Sequence, residues 1–458
     1  MSAFKKVHEA VLTEGETENV DIVIVGAGMA GLMAAYELKE NYPGIKYLII
    51  DKLDYVSGSV PTSGGAMASI SSRLHKASGT ECTVQDFVDL FEYTSGQKIN
   101  EALVKNVYAK SDVTMNRLLD YGAKFDEKPQ LSSIYSDKVY AFWSVGGGAG
   151  MGRFMNDLVK NNPINLRQGT KAEGLIVEGG KVCGVQVSDK TKRYKINAKA
   201  VLLVTGGFGS SPKYMHELLP KFADEILTTN AGATGDGIDM TKQFGTKILG
   251  TGSMGTIYAA DRSALIKAYF LVNKDGERFI AEDQPQYVIQ RVSSEQPDAL
   301  AFFVVDDSYP DKETLNAKLA KGLVKKYDTL EALASENGIN ISTFMETVKS
   351  YNTAAAEGKD IPAKLYTLSA KMAAHLKTAQ YYIEKITLRT FGTLPGIEID
   401  TSCLVLNGEG KIIPGLYAAG EVAAGNAFSR QYPGIGVGIS WAANSGRYAA
   451  EVIADTLK

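Results

Sequence analysis

A glycine-rich turn between two apolar runs constrains this chain more than any other feature. Residues 20–52 read VDIVIVGAGMAGLMAAYELKENYPGIKYLIIDK. The apolar run at 20–25 predicts a buried strand, helical spacing follows over 32–39, and a second apolar run at 47–50 ends on Asp51. GxGxxG carries weight in this strand–turn–helix–strand order. The stretch therefore predicts a βαβ unit of a Rossmann-like α/β fold.

The spacing inside this unit predicts dinucleotide binding. Gly26 makes the tight turn, Gly28 lets backbone amides approach a pyrophosphate, and Gly31 lets the helix pack close to the strand. The phosphates would then lie at the positive N-terminus of the helix. Asp51 is placed to accept hydrogen bonds from the adenosine ribose. The alternative is a glycine-rich turn that serves only the fold.

The overall composition excludes several classes of protein. With 458 residues the chain is long enough for two or three domains. A net charge of −3 gives no electrostatic reason to expect nucleic acid or an anionic membrane as partner. Three cysteines without a CxxC pair predict neither a disulfide framework nor a metal site. Residues 1–19 are too charged for a signal peptide and no apolar run is long enough to span a bilayer, so we expect a cytoplasmic protein without a membrane span.

The aromatic residues indicate which groups carry acid–base chemistry. There are 23 tyrosines but only four histidines, and no histidine lies in a glycine-rich motif. Tyr135, Tyr140, Phe142 and Trp143 lead into a triple glycine, which predicts a loop lining a pocket for a ring-bearing, apolar ligand, or else a small satellite core. Acid–base chemistry in this chain is therefore not expected to rest on imidazole.

Other small-residue segments follow predicted strands. Residues 57–66 predict either close backbone approach to a ligand or a surface loop, and a strand ends on Thr205, Gly206 and Gly207. Asp236 stands between glycines at a helix start, which suits a ribose or pyrophosphate oxygen as well as a plain N-cap. Residues 245–384 change character, with lysine-rich helices, and predict an inserted domain.

Seven motifs in order resemble the fumarate reductase/succinate dehydrogenase flavoprotein family, over nearly the whole chain from residue 20. They are GAGMAG (26–31), Asp51, Ser63-Gly64-Gly65, Thr205-Gly206-Gly207, ATGDG (233–237), NKDGERF (273–279) and IPGLYAAGEV (413–422). The resemblance implies non-covalent FAD and a glutathione-reductase-type FAD domain. After an N-terminal extension (1–19), that domain would comprise 20–244 and 385–458, with 245–384 as an inserted α+β capping domain.

The resemblance also implies which residues hold FAD. The pyrophosphate turn would be Gly26 to Gly31, Asp51 would bind the ribose, and Glu421 the ribityl chain. Ser59 with Ser63 to Gly65 would lie near the flavin, whose pyrimidine end would meet Gly438 and Ile439. The full set carried over is Gly26, Ala27, Gly28, Ala30, Gly31, Asp51, Lys52, Ser59, Ser63, Gly64, Gly65, Ala172, Thr205, Gly206, Gly207, Asp236, Gly237, Gly420, Glu421, Gly438 and Ile439.

The chain departs from the family's dicarboxylate reductases at three positions. Residues 391–396 contain no histidine, Gln286 stands where the arginine proton donor is expected, eight residues after Arg278, and Pro433 stands where a second substrate arginine is expected, with Arg430 three residues earlier. Binding two carboxylates needs fixed cationic groups. Fumarate or succinate is therefore not expected as the substrate, and a dicarboxylate reductase is kept only as the alternative.

The replacements resemble the family's 3-ketosteroid dehydrogenase branch. Tyr432 to Gly436 and the pair Gly392-Thr393 match its motifs, and Tyr287 matches its tyrosine with an offset of one residue, for which Gln286 competes. This resemblance implies that the Tyr432 hydroxyl and the Gly436 amide bind a substrate carbonyl. Tyr287 would move the proton at the α-carbon, with a hydrogen bond from Tyr135 or Tyr140. Gly392, Thr393 and Gln286 would contact substrate.

The expected activity is that of an enone reductase or ketone dehydrogenase acting on an apolar ring substrate. No haem-binding CxxCH motif and no second nucleotide fingerprint are present, so an external electron donor or acceptor is expected. A redox-neutral flavin-dependent isomerase or hydratase, and a flavin-binding protein without turnover, remain open.

Overall fold

The computed structural model describes residues 12–56, 58–95, 99–133, 135–223, 226–227, 229–251, 254–258, 270–284, 286–373, 375–386, 388–428 and 432–458. For residues 226, 227, 254–258, 286, 287, 290 and 388–391 it describes the backbone only. The chain divides into two compact units. The first consists of Met1–Leu219, Thr228–Gly255 and Phe391–Lys458, and the second of Pro220–Leu227 and Thr256–Thr390.

A mostly parallel sheet forms the centre of the first unit. Its nine described strands are β1 (Thr13–Glu14), β2 (Glu18–Val25), β3 (Tyr47–Ile50), β7 (Leu166–Arg167), β8 (Lys171–Glu178), β9 (Lys181–Ser188), β10 (Lys192–Leu203), β22 (Leu404–Leu406) and β23 (Ile412–Ala418). The order is β22-β23-β10-β2-β3-β7, and β23, β10, β2, β3 and β7 are parallel neighbours. Parallel strands are covered on both faces, which explains why β2 and the end of β10 are nearly continuous apolar runs. This sheet confirms the predicted Rossmann-like α/β class.

Two helices pack closely beside this sheet. Helix α1 (Met29–Asn41) follows the glycine turn, and α13 (Val437–Thr456) is the last helix of the chain. Residues 29–38 of α1 are all buried. A Cβ added to Gly446 of α13 would lie 2.1 Å from the carbonyl oxygen of Ala30, so the two backbones touch there. This contact fixes the middle of α13 against the first turn of α1.

Shorter elements complete the first unit. Strands β4 (Ala66–Ala68), β5 (Gln130–Leu131) and β6 (Tyr140–Trp143) form an antiparallel sheet, and β12 (Ile248–Leu249) pairs with β21 (Gly396–Ile397). The helices are α2 (Arg73–Ser78), α3 (Val84–Ser95), α4 (Glu101–Tyr108), α5 (Ser111–Asp120), α6 (Gly147–Asn161), α7 (Pro212–Leu218) and α8 (Asp236–Thr241). Short 3₁₀ helices lie at Val60–Thr62, Lys242–Phe244 and Gly420–Asn426.

The second unit is built on an antiparallel sheet. The sheet runs β14 (Phe270–Asn273), β15 (Ala301–Asp306), β19 (Tyr381–Lys385), β16 (Val324–Tyr327). Phe270 and Val304 of this sheet pack in one core with Phe344 and Tyr351 of α12 (Ile341–Ala356). The other elements are α9 (Gln286–Ser294), α10 (Lys312–Ala320), α11 (Leu330–Glu336), β11 (Ile226–Leu227), β17 (Ile361–Pro362), β18 (Thr367–Leu368) and 3₁₀ turns at Pro220–Phe222, Pro297–Ala299 and Ala370–Met372. Strands β13 (Met254–Tyr258) and β20 (Leu388–Thr393) contain two of the points at which the chain passes between units.

The unit boundaries differ from the expected domains. The second unit ends at Thr390 rather than 384, begins its main part at Thr256 rather than 245, and includes the separate segment Pro220–Leu227. That segment belongs there because β11 pairs in parallel with Arg389 and Thr390, a pairing over more than 160 residues that no local pattern reports. The expected extension 1–19 is also too long, because β1 already pairs with β10 and β2 begins at Glu18.

Candidate active site

Two glycines of the first turn, Gly26 and Gly31, are needed for the packing of the backbone, whether or not a ligand is bound. Gly26 has a φ of +118°, and a Cβ there would lie 2.3 Å from the carbonyl oxygen of Val204. A Cβ at Gly31 would lie 2.0 Å from the carbonyl oxygen of Gly26. Both distances are far below a normal contact, so these glycines let strand β2, helix α1 and the end of β10 approach one another.

Gly28 is different, because the protein leaves space beside it. The nearest atom to an added Cβ is the Cα of Gly58, at 3.9 Å. Within the described part of the chain, the amides of Gly28, Met29 and Ala30 donate no hydrogen bond, as expected for the first turn of a helix. Unpaired amides at a helix N-terminus, with open space in front, suit a phosphate. The turn therefore fits the pyrophosphate of a dinucleotide.

Asp51 is held by the same turn. Its Oδ2 accepts a 2.7 Å hydrogen bond from the Ala27 amide, and its Oδ1 accepts one of 2.8 Å from the Leu53 amide. Burial raises the pKa of the Asp51 carboxyl group, while these two hydrogen bonds act to lower it. Each oxygen has a further lone pair, so the carboxylate can also accept ribose hydroxyls. Ala172 is buried in β8, two residues after Thr170, whose amide donates to the Asp51 carbonyl.

Lys52 and Asp236 contact each other, which the sequence did not indicate. The Lys52 ammonium lies 2.8 Å from Asp236 Oδ2 and 2.6 Å from the Thr234 hydroxyl. Asp236 is the first residue of α8, and Thr234 donates to its Oδ1. The ion pair connects the start of α8 to the segment that follows β3. Because the two charges neutralise each other, we expect Lys52 and Asp236 to position the backbone of the cofactor site more than to bind the cofactor by charge.

A buried hydroxyl beside α8 has no partner among the described residues. Thr205 follows β10, and its Oγ1 is fully buried without a hydrogen bond. A Cβ added to Gly237 of α8 would lie 2.5 Å from that oxygen. Gly206, next along the chain, has a φ of +73° and no atom within 4 Å of an added Cβ. An unpaired hydroxyl, an open glycine and the phosphate-binding turn together fit FAD.

The small-residue segment is a tight turn packed on a helix. Ser63 donates its hydroxyl proton to the Val60 carbonyl and accepts a hydrogen bond from the Gly65 amide, while the Ser59 carbonyl accepts from Thr62. Added Cβ atoms at Gly65 and at Gly148 of α6 would lie 2.2 Å from backbone atoms of the opposite segment. The expected pocket-lining loop at 135–152 is instead largely strand β6 and the start of α6, because Gly148 and Gly152 let that helix pack on residues 60–63.

Glu421 lies at the centre of a second buried group. Its Oε1 accepts hydrogen bonds from the Thr393 amide (2.7 Å) and hydroxyl (3.1 Å), and an added Cβ at Gly207 would lie 2.2 Å from it. Burial raises the pKa of the Glu421 carboxyl group, and the hydrogen bonds from Thr393 and Gly207 oppose this rise. Thr393 is 1% exposed and also accepts from the Phe208 amide, so its hydroxyl serves Glu421 rather than a substrate. Gly392 also lies against Glu421, 3.0 Å from an added Cβ.

The segment before α13 places Tyr432 on the helix N-terminus. The Gly438 amide donates a 2.7 Å hydrogen bond to the Tyr432 hydroxyl oxygen. Gly438 was expected to meet the flavin, but in this structure its amide serves Tyr432. Burial raises the pKa of Tyr432 to about 12, against the opposing effect of that hydrogen bond. Since its oxygen accepts from Gly438, the phenol can direct its own proton at a ligand.

Gly436 supplies a second donor next to this phenol. It caps α13 with a φ of +79°, and its carbonyl accepts from the Ala68 amide. In the described chain its own amide donates no hydrogen bond. Ile439, in the first turn of α13, is buried, and Gly420 is held by Ser445, whose hydroxyl oxygen accepts its amide at 2.9 Å.

Two of the predicted tyrosines have other surroundings. The Tyr135 ring packs on Tyr93, a 63% exposed residue, with 4.5 Å between ring centroids. Tyr140 begins β6, and alternation along the strand places its side chain opposite to that of Ala141, the residue against which Gly436 packs. The structure therefore brings neither ring to Tyr432 by any contact that it shows.

Ser132 was missed as a positioning residue, and Trp143 was named only as one of the aromatic residues of the predicted loop. Trp143 shares the face of β6 with Ala141, and its ring would lie 2.9 Å from a Cβ added to Gly64. Its Nε1 donates to Gln130 at 2.8 Å. The Ser132 carbonyl accepts from the Ile435 amide, and its hydroxyl donates to the Ile435 carbonyl. The alternation in YAFW (140–143) could have indicated Trp143, whereas nothing local indicates Ser132.

Several predicted positions lie outside what the structure describes. Gln286 and Tyr287 are the first two residues of α9, in the second unit, but their side chains are not described, and neither is that of Phe391. Arg430 is outside the described residues altogether. Their roles stay predictions.

Metal clusters and membrane-spanning helices are both missing from the part of the chain that the structure describes. No group of three or more histidine, cysteine, aspartate or glutamate side chains there could hold a metal ion. None of the described helices has the length and apolar character needed to cross a membrane.

Comparison with known proteins agrees with this site. Residues 21–439 match the family model described as FAD binding domain. The fumarate reductase (cytochrome) of Shewanella frigidimarina is 29% identical over 446 residues, covering 92% of this chain and 75% of the relative. The urocanate reductase of Eggerthella lenta is 28% identical over 449 residues, covering 92% and 73%.

A solved structure shows the same fold over the full length. The 3-ketosteroid-Δ4-(5α)-dehydrogenase of Rhodococcus jostii RHA1, solved with 4-androstene-3,17-dione, has a TM-score of 0.81 at 21% identity and covers 98% of each chain. The family model confirms the expected family and its cofactor, FAD. The chain belongs to the FAD binding domain family and is an FAD-dependent oxidoreductase acting on CH–CH bonds.

Proposed function

We propose that this flavoenzyme reduces, or forms, the carbon–carbon double bond next to a ketone in an apolar ring substrate. The observation that carries the proposal is the 2.7 Å hydrogen bond from the Gly438 amide to the Tyr432 hydroxyl. A phenol whose oxygen already accepts a backbone hydrogen bond is a fixed donor for a carbonyl oxygen. The unpaired Gly436 amide, two residues earlier, offers a second donor.

The Tyr432 and Gly436 donors stabilise the transition state most strongly, because negative charge develops on the carbonyl oxygen there. FAD, when bound, exchanges a hydride with the β-carbon of such a substrate. Tyr432 and Gly436 then stabilise the enolate oxygen, an effect for which one donor is worth roughly 3–4 kcal/mol of barrier. Tyr432 is protonated at neutral pH, as any phenol is, and burial raises its pKa further, to about 12. Tyr287 remains the predicted proton donor and acceptor at the α-carbon.

The alternative is a dicarboxylate reductase. It is supported by the similarity to a fumarate reductase, but Phe391, Gln286 and Pro433 stand where that activity needs histidine and arginine. Pro433 is buried beside Tyr432, and a proline offers no charge to a carboxylate. The residues of the site therefore favour a single carbonyl over two carboxylates.

The experiment is a substrate panel on the reduced protein. The FAD-bound protein is reduced anaerobically and mixed in a stopped-flow instrument with fumarate, a steroid enone or an aromatic enone. We expect an enone to reoxidise the flavin and fumarate not to. Reoxidation by fumarate alone would establish the dicarboxylate reductase, and product formed without any added donor or acceptor would establish the isomerase. A flavin that no compound reoxidises would contradict the proposal.

A further inference from the structure

Trp143 stands among alanines on the face of strand β6 that meets Gly436. Ala68 of β4 lies opposite Ala141 of β6, and Ala66 lies opposite Trp143. Residues directly opposite each other in an antiparallel pair share a face of the sheet. The three alanines are at most 4% exposed, whereas Trp143 is half-buried. Trp143 is therefore a bulky, accessible side chain next to three small, buried ones.

Two contacts fix the indole of Trp143. Its Nε1 donates a 2.8 Å hydrogen bond to Gln130 Oε1. At the other end of the ring system, the Cζ3 and Cη2 atoms of the six-membered ring would lie 2.9 and 3.3 Å from a Cβ added to Gly64. The indole is thus held between Gln130 and Gly64. A side chain that is already held in place loses little conformational entropy when a ligand packs on it.

The indole lies within reach of a substrate bound at Gly436. A Cβ added to Gly436 would lie 2.8 Å from the Ala141 Cβ, so Gly436 lies against Ala141. Trp143 is two residues farther along the same strand, which corresponds to about 7 Å. A single six-membered enone ring extends only about 4 Å from its carbonyl oxygen. Such a ring therefore ends short of the tryptophan, whereas a second ring beside it reaches the indole.

We propose that Trp143 is a specificity-determining residue, on whose indole the second ring of a substrate with at least two rings stacks. This inference rests on the proposed function, because it takes the Gly436 amide as a donor to the substrate carbonyl. An indole attracts apolar rings through the burial of apolar surface and, for aromatic rings, through offset stacking. It offers no positive charge to a carboxylate. Trp143 thereby favours a ring enone of two or more rings over a one-ring enone and over a short dicarboxylate.

A purely structural role for Trp143 would have a different signature. The indole covers Gly64, and Ser63 to Gly65 are expected to lie near the flavin. If Trp143 only supported that turn, its removal would lower FAD affinity and would weaken every substrate to the same extent. If a substrate ring stacks on Trp143, its removal leaves FAD affinity unchanged and weakens only substrates that are long enough to reach the indole.

Tryptophan fluorescence tests the contact without any turnover. Trp143 is one of two tryptophans, and the other, Trp441, is 1% exposed. In the oxidised, FAD-bound protein we expect acrylamide to quench the emission of Trp143, which the difference from Trp143→Phe identifies. A steroid enone should protect this emission and cyclohexenone should not. Emission that acrylamide quenches equally with and without the steroid enone would overturn the proposal, and this measurement on the wild type needs no other variant to fold.

The kinetic test uses Trp143→Leu in the FAD-bound, reduced protein. Its dissociation constant for the steroid enone, taken from the saturation of the reoxidation rate, should rise about tenfold relative to that for cyclohexenone. Trp143→Phe keeps an aromatic ring on this face and should recover most of the loss. An unchanged preference between the two enones in Trp143→Leu would overturn the proposal, and lower FAD affinity with that unchanged preference would establish the structural role.

Leu131→Ala is the matched control for these variants. Leu131 is 42% exposed on β5, opposite Tyr140, and so lies on the other face of the same small sheet. Its replacement should leave the preference between the two enones unchanged. The two proposals fail separately. A steroid enone that protects Trp143 but never reoxidises the flavin would contradict the proposed function alone, and enone turnover with an unchanged preference in Trp143→Leu would contradict the role of Trp143 alone.

Discussion

The Gly438 amide and the Tyr432 hydroxyl oxygen are 2.7 Å apart, so the first turn of the last helix holds a phenol in place. Through this bond the positive end of the helix acts on the tyrosine oxygen. The bond occupies one lone pair of the oxygen and leaves the phenol proton available for a ligand. Tyr432 is thereby positioned to donate a hydrogen bond.

The protonation state of Tyr432 gives a first prediction. Since burial raises its pKa to about 12, the phenol should remain a donor well above the usual phenol pKa of about 10. Its contribution is present below the raised pKa and is lost only as pH rises through it. The ratio of wild-type to Tyr432→Phe reoxidation rates should therefore stay constant from pH 7 to about 10. A ratio that declines toward one between pH 8 and 10 would show that the phenol ionises earlier.

Alanine substitutions at Gly31 and Gly28 should have different effects, the first on folding stability and the second on FAD binding. An Ala at Gly31 places Cβ 2.0 Å from the Gly26 carbonyl, so the protein itself should lose about 1–3 kcal/mol of folding free energy. An Ala at Gly28 meets only the Gly58 Cα, at 3.9 Å, and Gly28 has an ordinary φ of −76°. The Gly28→Ala protein should therefore melt like the wild type without FAD.

The difference should appear when FAD is added. In Gly28→Ala the new methyl group occupies the space in front of the unpaired amides, and FAD affinity should fall at least about tenfold, or 1.4 kcal/mol. Melting temperatures with and without FAD, and the amount of FAD that copurifies, measure both effects. Unchanged FAD affinity in Gly28→Ala would mean that the pyrophosphate does not lie on this turn.

His75 should make stability depend on acid pH. It is 0% exposed, its Nδ1 accepts from the Ser72 amide, and burial lowers its pKa to about 4. An unfolded histidine binds a proton near pH 6.5, before the folded one does. Stability is therefore full above about 6.5 and falls as the pH drops toward 4, by about 3 kcal/mol from this residue.

His75→Gln separates this titration from the contact. A glutamine at the third helical position can accept the Ser72 amide as in a capping box, but it does not titrate. Urea unfolding at several pH values should show a shallower loss of stability below pH 6.5 in the variant. Equal slopes in the two proteins would show that His75 does not carry the effect.

The cofactor half of the site could be predicted from sequence because it is local. The turn at Gly26 to Gly31 and the acid at Asp51 belong to one βαβ unit, whose hydrogen bonds link residues fewer than thirty positions apart. Apolar runs revealed the parallel strands because these are covered on both faces. The ion pair between Lys52 and Asp236 joins residues 184 positions apart and has no local signal.

The substrate half depends on contacts between distant segments. Ser132 holds the 432–436 segment through Ile435, and Glu421 takes the Thr393 hydroxyl that was assigned to substrate. Tyr135 and Tyr140 were chosen because they lie in the aromatic segment before the triple glycine. The packing of Tyr135 on Tyr93 and the direction of the Tyr140 side chain along β6 depend on the tertiary structure.

The most direct test of the central claim is stopped-flow reoxidation of the reduced protein by a cyclic enone, comparing wild type with Tyr432→Phe. We expect both proteins to hold FAD and the variant to reoxidise about 100-fold more slowly, because one donor to the developing enolate oxygen is lost. Equal rates in the two proteins would show that Tyr432 does not act on the substrate carbonyl.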